Sequence, residues 1–264
     1  MRAVFMGTPE IAAEVLKSLL ASKHEIITVV TQPDRPKGRG KEVAKSPVKL
    51  VAEVHGIPVF QPEKVKAPEA VAQLKELNPD VILVVAFGQI LSKEILELPK
   101  YGCINVHASL LPEYRGAAPI QWAVIDGKEK TGITIMRMDE GIDTGDMICK
   151  EEVVITPEET GGSLHDKLAA VGGPLLLRAL AQIEEGTVVY TPQNHEEHTY
   201  AKMLRKELGK LDFTASAESL ERLIRGLNPW PSAYTYRDGK TVKFWKASVS
   251  YEKFDACPCG TLVP

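Results

Sequence analysis

Up to about residue 185, short apolar runs alternate with stretches whose apolar residues recur at helical spacing, and this alternation leaves few folds open. Residues 3–6, 26–31, 59–60, 81–87 and 103–107 read as strands, with helical patterns between them at 9–21, 47–55, 68–77 and 92–96. Thr8-Pro9 and Ser46-Pro47 each place a capping hydroxyl before a proline, a residue suited to the first helical position. The run 81–87 is apolar throughout, as in a strand covered on both faces. Strands alternating with helices predict an α/β fold, a mostly parallel sheet with right-handed crossovers and helices on both faces. Such sheets bind ligands beyond the carboxyl ends of their strands, so function is expected just after Met6, Thr31, Phe87 and Val106. Further on, 119–125 reads as a helix and 132–138 and 147–155 as strands. The pattern at 163–185 is a long helix that Gly172, Gly173 and Pro174 should kink or interrupt.

Beyond this the pattern becomes polar and irregular. Three segments follow: a domain over 1–188, a linker over 189–206, and a small β-rich domain over 207–264. In the last, 217–225 reads as a helix, and 233–236, 242–246 and the residues after them as strands. The net charge is −3, which does not suit wholesale nucleic-acid binding, but the charge is unevenly spread. Lys202 to Lys246 holds ten Lys/Arg against five acids, the asymmetry expected of a protein that grips an anionic partner by one end. No apolar run approaches the roughly 18–20 residues that cross a bilayer, and the first residues do not form a signal peptide. A cytoplasmic protein with no membrane contact is expected. Cys103 and Cys149 lie in strand-like runs as free thiols. Cys257 and Cys259 form C-P-C, without a second pair to complete a tetrahedral metal site.

Side chains two apart on a strand share a face, so Asn105 and His107 point the same way at a strand's carboxyl end. Both can donate hydrogen bonds to an oxygen that gains negative charge in acyl transfer. The same pair also suits the polar face of an edge strand. A turn at 141–146, G-I-D-T-G-D, carries Asp143 between two strands. That carboxylate either orients an imidazole or is one of two solvated acids in a tight hairpin. Spacing alone does not bring it to His107. The loop at 31–46 holds Arg35, Lys37, Arg39, Lys41 and Lys45 among Pro and Gly, and reads either as a solvated loop or as an anion contact. Trp230 and Trp245 are expected in the core of the small domain. The first turn reads G-T-P-E rather than G-x-G-x-x-G, which counts against a dinucleotide.

The run Asn105-Val106-His107-Ala108-Ser109-Leu110-Leu111-Pro112, continued by Tyr114-Arg115-Gly116 and Ala118-Pro119-Ile120, resembles the signature of the 10-formyltetrahydrofolate-dependent formyltransferases. The G-I-D-T-G-D turn lies downstream at the distance this family shows. Phe5-Met6-Gly7-Thr8-Pro9, Thr31-Gln32-Pro33-Asp34-Arg35-Pro36, Gly38-Arg39-Gly40-Lys41 and Asn228-Pro229-Trp230-Pro231 are similar to the branch that formylates methionyl-tRNA. The resemblance covers nearly the whole chain. It implies a Rossmann-like domain followed by a small C-terminal β-barrel of OB type. Asn105, His107 and Asp143 would then act on the formyl group without a covalent enzyme intermediate and without metal. Tetrahydrofolate would lie against Ser109, Leu110, Leu111 and Pro112, walled by the loop of Phe87, Gly88 and Ile90 and by residues 138–143. Initiator Met-tRNA would be the acceptor, contacted by Arg35, Lys37, Arg39 and Lys41, with Arg39 in the place of an RNA-contacting arginine. Members of the family continue some tens of residues past the position of Pro264, so the barrel is expected to be incomplete or short. A monomer is expected. The rival readings are the same chemistry on an amino sugar nucleotide or glycinamide ribonucleotide, and an RNA- or nucleotide-binding module without catalysis.

Overall fold

Strand β1 (Arg2–Gly7) sends Ala3 and Phe5 to one face and Val4 and Met6 to the other, and all four are buried. The structure is a computed structural model and describes residues 1–37, 42–252 and 257–263. After β1 come α1 (Glu10–Leu20), β2 (Glu25–Val30), a small hairpin of β3 (Arg35–Lys37) and β4 (Glu42–Ala44), and α2 (Pro47–Val54). Next are β5 (Val59–Phe60), α3 (Pro68–Leu77), β6 (Val81–Val85), α4 (Lys93–Leu96) and β7 (Cys103–His107). The short β8 (Arg115–Gly116), α5 (Pro119–Ile125), β9 (Lys130–Arg137), β10 (Met147–Val154) and α6 (Gly161–Glu185) complete the large unit.

Seven strands form one sheet in the order β10-β9-β7-β6-β1-β2-β5. The five from β7 to β5 are parallel, and β9 and β10 add an antiparallel edge beside β7. The chain works outward from β1 to β5, then returns to β6 and β7, so its direction reverses between β1 and β6. The carboxyl ends of those two strands frame the crevice where such folds bind ligands. Two apolar layers cover the sheet. Phe5, Leu83, Ile104 and Val106 pack with residues of α1 and α6, while Met6, Ile82, Val84 and Cys103 pack with Leu74 and Ile95 from α3 and α4. Full burial of a side chain such as Phe5 or Leu16 contributes roughly 1.5–3 kcal/mol.

Several local expectations need correction. Ser46 caps α2, accepting from the Lys49 amide at 3.1 Å, but Thr8 does not cap α1. Its hydroxyl instead donates to the Phe87 carbonyl at 3.1 Å, across the crevice. The run expected as a strand to Phe87 leaves the sheet at Val85, because Ala86 takes a φ of 44°. Helix α6 is not interrupted: it continues through Pro174 to Glu185. A Cβ on Gly173 would lie 2.2 Å from Ser18 Oγ, and one on Gly172 3.1 Å from Val15 Cγ2. The glycine pair is therefore where α6 and α1 press together.

The segment expected as a linker is not a free tether. Thr191 bridges to Met147, and β11 (Tyr200–Ala201) pairs in parallel with β8. Past it lie α7 (Ala217–Gly226) and a hairpin of β12 (Ala233–Arg237) and β13 (Lys240–Phe244). Leu211, Ile224 and Ala233 form their small core. Among the described residues no strand follows Phe244, so the β content here is one hairpin rather than a closed barrel. Trp230 and Trp245, expected in the core, are 56% and 51% exposed. A single hairpin has too little apolar face to cover two indoles. Trp245 carries the Lys243 ammonium 5.6 Å from its ring centre instead.

Candidate active site

Ile104 and Val106 fill one apolar layer, which turns Asn105 and His107 to the other face at the end of β7. Both polar side chains are buried. Beyond His107 the chain folds back on itself. Ser109 Oγ donates to the Glu113 carbonyl at 2.6 Å, and Thr134 Oγ1 from β9 donates to the Ser109 carbonyl at 2.7 Å. This brings the Tyr114 carbonyl to His107 Nε2 at 2.9 Å. A carbonyl only accepts, so Nε2 carries the proton and Nδ1 is the nitrogen free to face the site.

Opposite Nδ1 is Asp143. Its Oδ1 lies 3.7 Å from His107 Nδ1 and 3.5 Å from Asn105 Nδ2, which donates to it. The first distance is an ion-pair separation once the imidazole is protonated, and longer than a hydrogen bond. Catalytic contacts often lie at such distances before substrate tightens them. Oδ2 accepts from the Gly116 amide at 2.8 Å. Asn105 and His107 thus both face one carboxylate oxygen of Asp143, which spacing in the sequence did not establish. An amide, an imidazole and a carboxylate so arranged can hold negative charge on an acyl oxygen and move a proton at Nδ1.

Two nearby nucleophile types are engaged elsewhere. The Cys103 thiol faces the apolar layer, and burial pushes its pKa up to about 12. The Ser109 hydroxyl is fully buried and already donates to Glu113. Asp143 itself holds a φ of 53°, a left-handed conformation that aspartate tolerates better than most L residues.

Residues 1–180 match the formyl transferase family, and residues 203–264 match the formyl transferase C-terminal domain. The chain belongs to the formyl transferase family. It is 60% identical over 249 residues to the methionyl-tRNA formyltransferase of Agathobacter rectalis, covering 94% of this chain and 80% of that one. The methionyl-tRNA formyltransferase of Clostridioides difficile is 56% identical over 253 residues, covering 96% and 82%. Among solved structures, a sugar N-formyltransferase from Shewanella superposes with a TM-score of 0.71 at 21% identity, covering 96% of this chain and 99% of that one. HypX from Aquifex aeolicus in complex with tetrahydrofolic acid gives 0.68 at 18% identity, covering 91% and 36%. At these identities the solved structures share the fold alone.

Within this formyl transferase the residues expected to meet the folate differ in what they expose. Phe87 and Leu111 have buried side chains packed in apolar clusters, and Ser109 is buried as well. The Phe87, Ser109 and Leu111 carbonyls are also already engaged by protein donors, so these three shape the pocket from behind. Leu110 and Pro112 are half-buried, Gly88 is exposed with a φ of 84°, and Ile90 is 75% exposed. Ile142, beside Asp143, is also a largely exposed aliphatic. Exposed glycine backbone and aliphatic side chains fit a flat, hydrogen-bonding heterocycle.

Of the basic loop, Arg39 and Lys41 lie outside the described residues, and Lys37 is placed only as the end of β3. Arg35 is exposed, 3.7 Å from Glu63. The root of its hairpin is firmly held. Lys49 Nζ bonds Asp34 at 2.5 Å and Gln61 at 2.8 Å, and Gln61 donates to Asp34 at 2.8 Å. The Lys49 and Gln61 hydrogen bonds hold the Asp34 carboxyl below the usual carboxylate range. Gln32, just before it, donates to the Phe87 carbonyl at 3.1 Å, so the basic hairpin begins at the crevice.

Three residues that the sequence did not single out as site residues hold the site together. Gln193, Thr199 and Arg115 lie in or against the connecting segment, and Thr199 Oγ1 accepts from the Tyr114 amide at 2.8 Å. Gln193 sits in a polar T-P-Q-N stretch, where nothing in the local pattern marks it as buried.

Proposed function

We propose that this formyl transferase moves the formyl group of 10-formyltetrahydrofolate to the α-amino group of methionyl-tRNA, with Asn105, His107 and Asp143 carrying the chemistry. The reading is carried by the convergence of Asn105 and His107 on Asp143 Oδ1, in a chain 60% identical to a curated methionyl-tRNA formyltransferase. Bound folate supplies an activated formyl carbon. An ordinary α-amine has a pKa of roughly 7.7–8.0, and an adjacent ester lowers it, so the neutral nucleophile is present at physiological pH without a strong base. Asn105 Nδ2 and His107 Nδ1–H donate to the formyl oxygen as it gains charge, each worth roughly 3–4 kcal/mol when well placed. Asp143 stabilises the imidazolium, which the Tyr114 carbonyl also orients through Nε2. As the intermediate collapses, the proton given up by the amine is relayed through the His107–Asp143 pair to the folate nitrogen, which leaves as tetrahydrofolate. The inert environments of Cys103 and Ser109 support direct transfer without an acyl-enzyme.

The acceptor is tested by supplying 10-formyltetrahydrofolate with Met-tRNA, an amino sugar nucleotide or glycinamide ribonucleotide in parallel. Transfer to Met-tRNA alone is expected. Transfer to the sugar nucleotide in preference to Met-tRNA would overturn the reading.

The basic residues Arg35, Lys37, Arg39 and Lys41 of the stretch 31–46, together with the positive excess after Lys202, support RNA as the partner. Phosphate contacts make such binding salt-dependent. Arg35→Ala is expected to raise the KM for tRNA a few-fold at low salt and to reduce the slope of log K against log salt by about one. An unchanged slope would make Arg35 a bystander.

A further inference from the structure

Within 189–200 only Gln193 is buried, and its surroundings leave none of its hydrogen-bonding capacity unused. Its Nε2 donates to the Asp143 carbonyl and the Gly145 carbonyl, each at 2.8 Å. Its Oε1 accepts from Arg115 Nε at 3.0 Å and from Arg115 Nη2 at 2.7 Å. A primary amide has two donor hydrogens and two acceptor lone pairs, so all four are used. Arg115 Nη2 also reaches His195 Nδ1 at 3.2 Å, within the same segment. The segment therefore grips the turn that carries Asp143 by its backbone, and grips the loop after β7 by Arg115. The adjoining pairing of β11 with β8 puts Gly116, whose amide holds Asp143 Oδ2, under the same restraint.

We propose that Gln193 is a positioning residue for formyl transfer: the stretch between the two family domains locks the Asp143 turn, and so places the carboxylate against His107. The chemistry selects glutamine. Glutamate would still accept from Arg115 but would set a carboxylate against two carbonyls, and asparagine is one methylene short. Methionine matches the length but neither donates to the carbonyls nor accepts well from the guanidinium. Gln193 holds the carbonyl of Asp143 itself and that of Gly145, so releasing both frees the turn and lets the carboxylate move away from the imidazole.

This inference rests on Asp143 taking part in transfer, and the experiment separates the two. Single-turnover rates and Michaelis constants are measured for Gln193→Met, Gln193→Glu, Asp143→Ala and the two double variants of position 193 with Asp143→Ala. Each Gln193 variant is expected to lose about 10²-fold in kcat, the scale of a misplacement near one ångström, with both Michaelis constants within about two-fold. In the Asp143→Ala background the same changes should cost no further rate, because the group they position is gone. A residue that only supports the fold would repeat its full loss there, or move the Michaelis constants and melting temperature instead of kcat. Either result overturns the proposal, as does a Gln193→Glu enzyme with unchanged kcat. A fully active Asp143→Ala enzyme would sink the reading of the site itself. Gln193→Glu keeps a bond to Arg115, so it serves where Gln193→Met fails to fold.

Discussion

His107→Ala is expected to lower kcat for formyl transfer by roughly 10³-fold or more while leaving the affinity for Met-tRNA within about two-fold. The substitution removes a proton donor at Nδ1 and the partner of Asp143 together. Loss of one well-aimed donor in acyl transfer costs about 10²–10³ in rate, and loss of a general acid about 10²–10⁴. The tRNA would be held by basic surfaces elsewhere, so its binding should hardly register the change. Some stability should also be lost, roughly 1–3 kcal/mol, because the Tyr114 carbonyl is left without its imidazole donor in a buried place. Single-turnover kinetics with saturating folate, beside filter binding of tRNA and thermal unfolding, measures all three. A variant that transfers formyl at the normal rate would remove His107 from the mechanism.

The shared face of Asn105 and His107 followed from strand geometry, and their neighbours Ile104 and Val106 took the opposite layer as period-two alternation requires. Local periodicity likewise placed β1, β2, β5, β7, α3 and α5 within a residue or two of where they lie. Local signals failed where a distant segment decides the outcome. Thr8 looks like a helix cap because nothing nearby shows that the Phe87 carbonyl will be within reach of its hydroxyl. Gly172 and Gly173 look like a break because the helix they press against, α1, lies some 150 residues earlier. Asp143 and His107 meet only because β9 runs back beside β7, leaves it at the level of Cys103 and Ile104, and the turn that follows folds back to Asn105 and His107. Gln193 was hidden for the same reason: its four partners come from 115 and 143–145, so its stretch reads as polar linker when taken alone.

The second large effect is expected at Gly116. Its φ of +110° is disfavoured for any residue with a Cβ, and a Cβ there would lie 2.8 Å from the Ala201 carbonyl oxygen and 2.8 Å from the Tyr200 ring. Both obstacles belong to β11, which is fixed by the Arg115–Thr199 and Ala117–Ala201 backbone bonds of 2.9 Å each. Gly116→Ala must therefore shift the loop or expel the strand. The strained backbone and overpacking should each remove roughly 1–3 kcal/mol of stability. The consequence for activity is specific, since the Gly116 amide is the donor that holds Asp143 Oδ2 at 2.8 Å. Moving it by an ångström frees one oxygen of the carboxylate that His107 and Asn105 face, and kcat should fall by about 10²-fold. Thermal unfolding and kcat are to be measured on the same preparation, at a temperature where the variant is fully folded. A lower melting temperature with kcat intact would show that β11 supports the fold but leaves the Asp143 carboxylate in place. A fall in kcat with Michaelis constants unchanged would tie this backbone donor to the same carboxylate that Gln193 restrains from the other side.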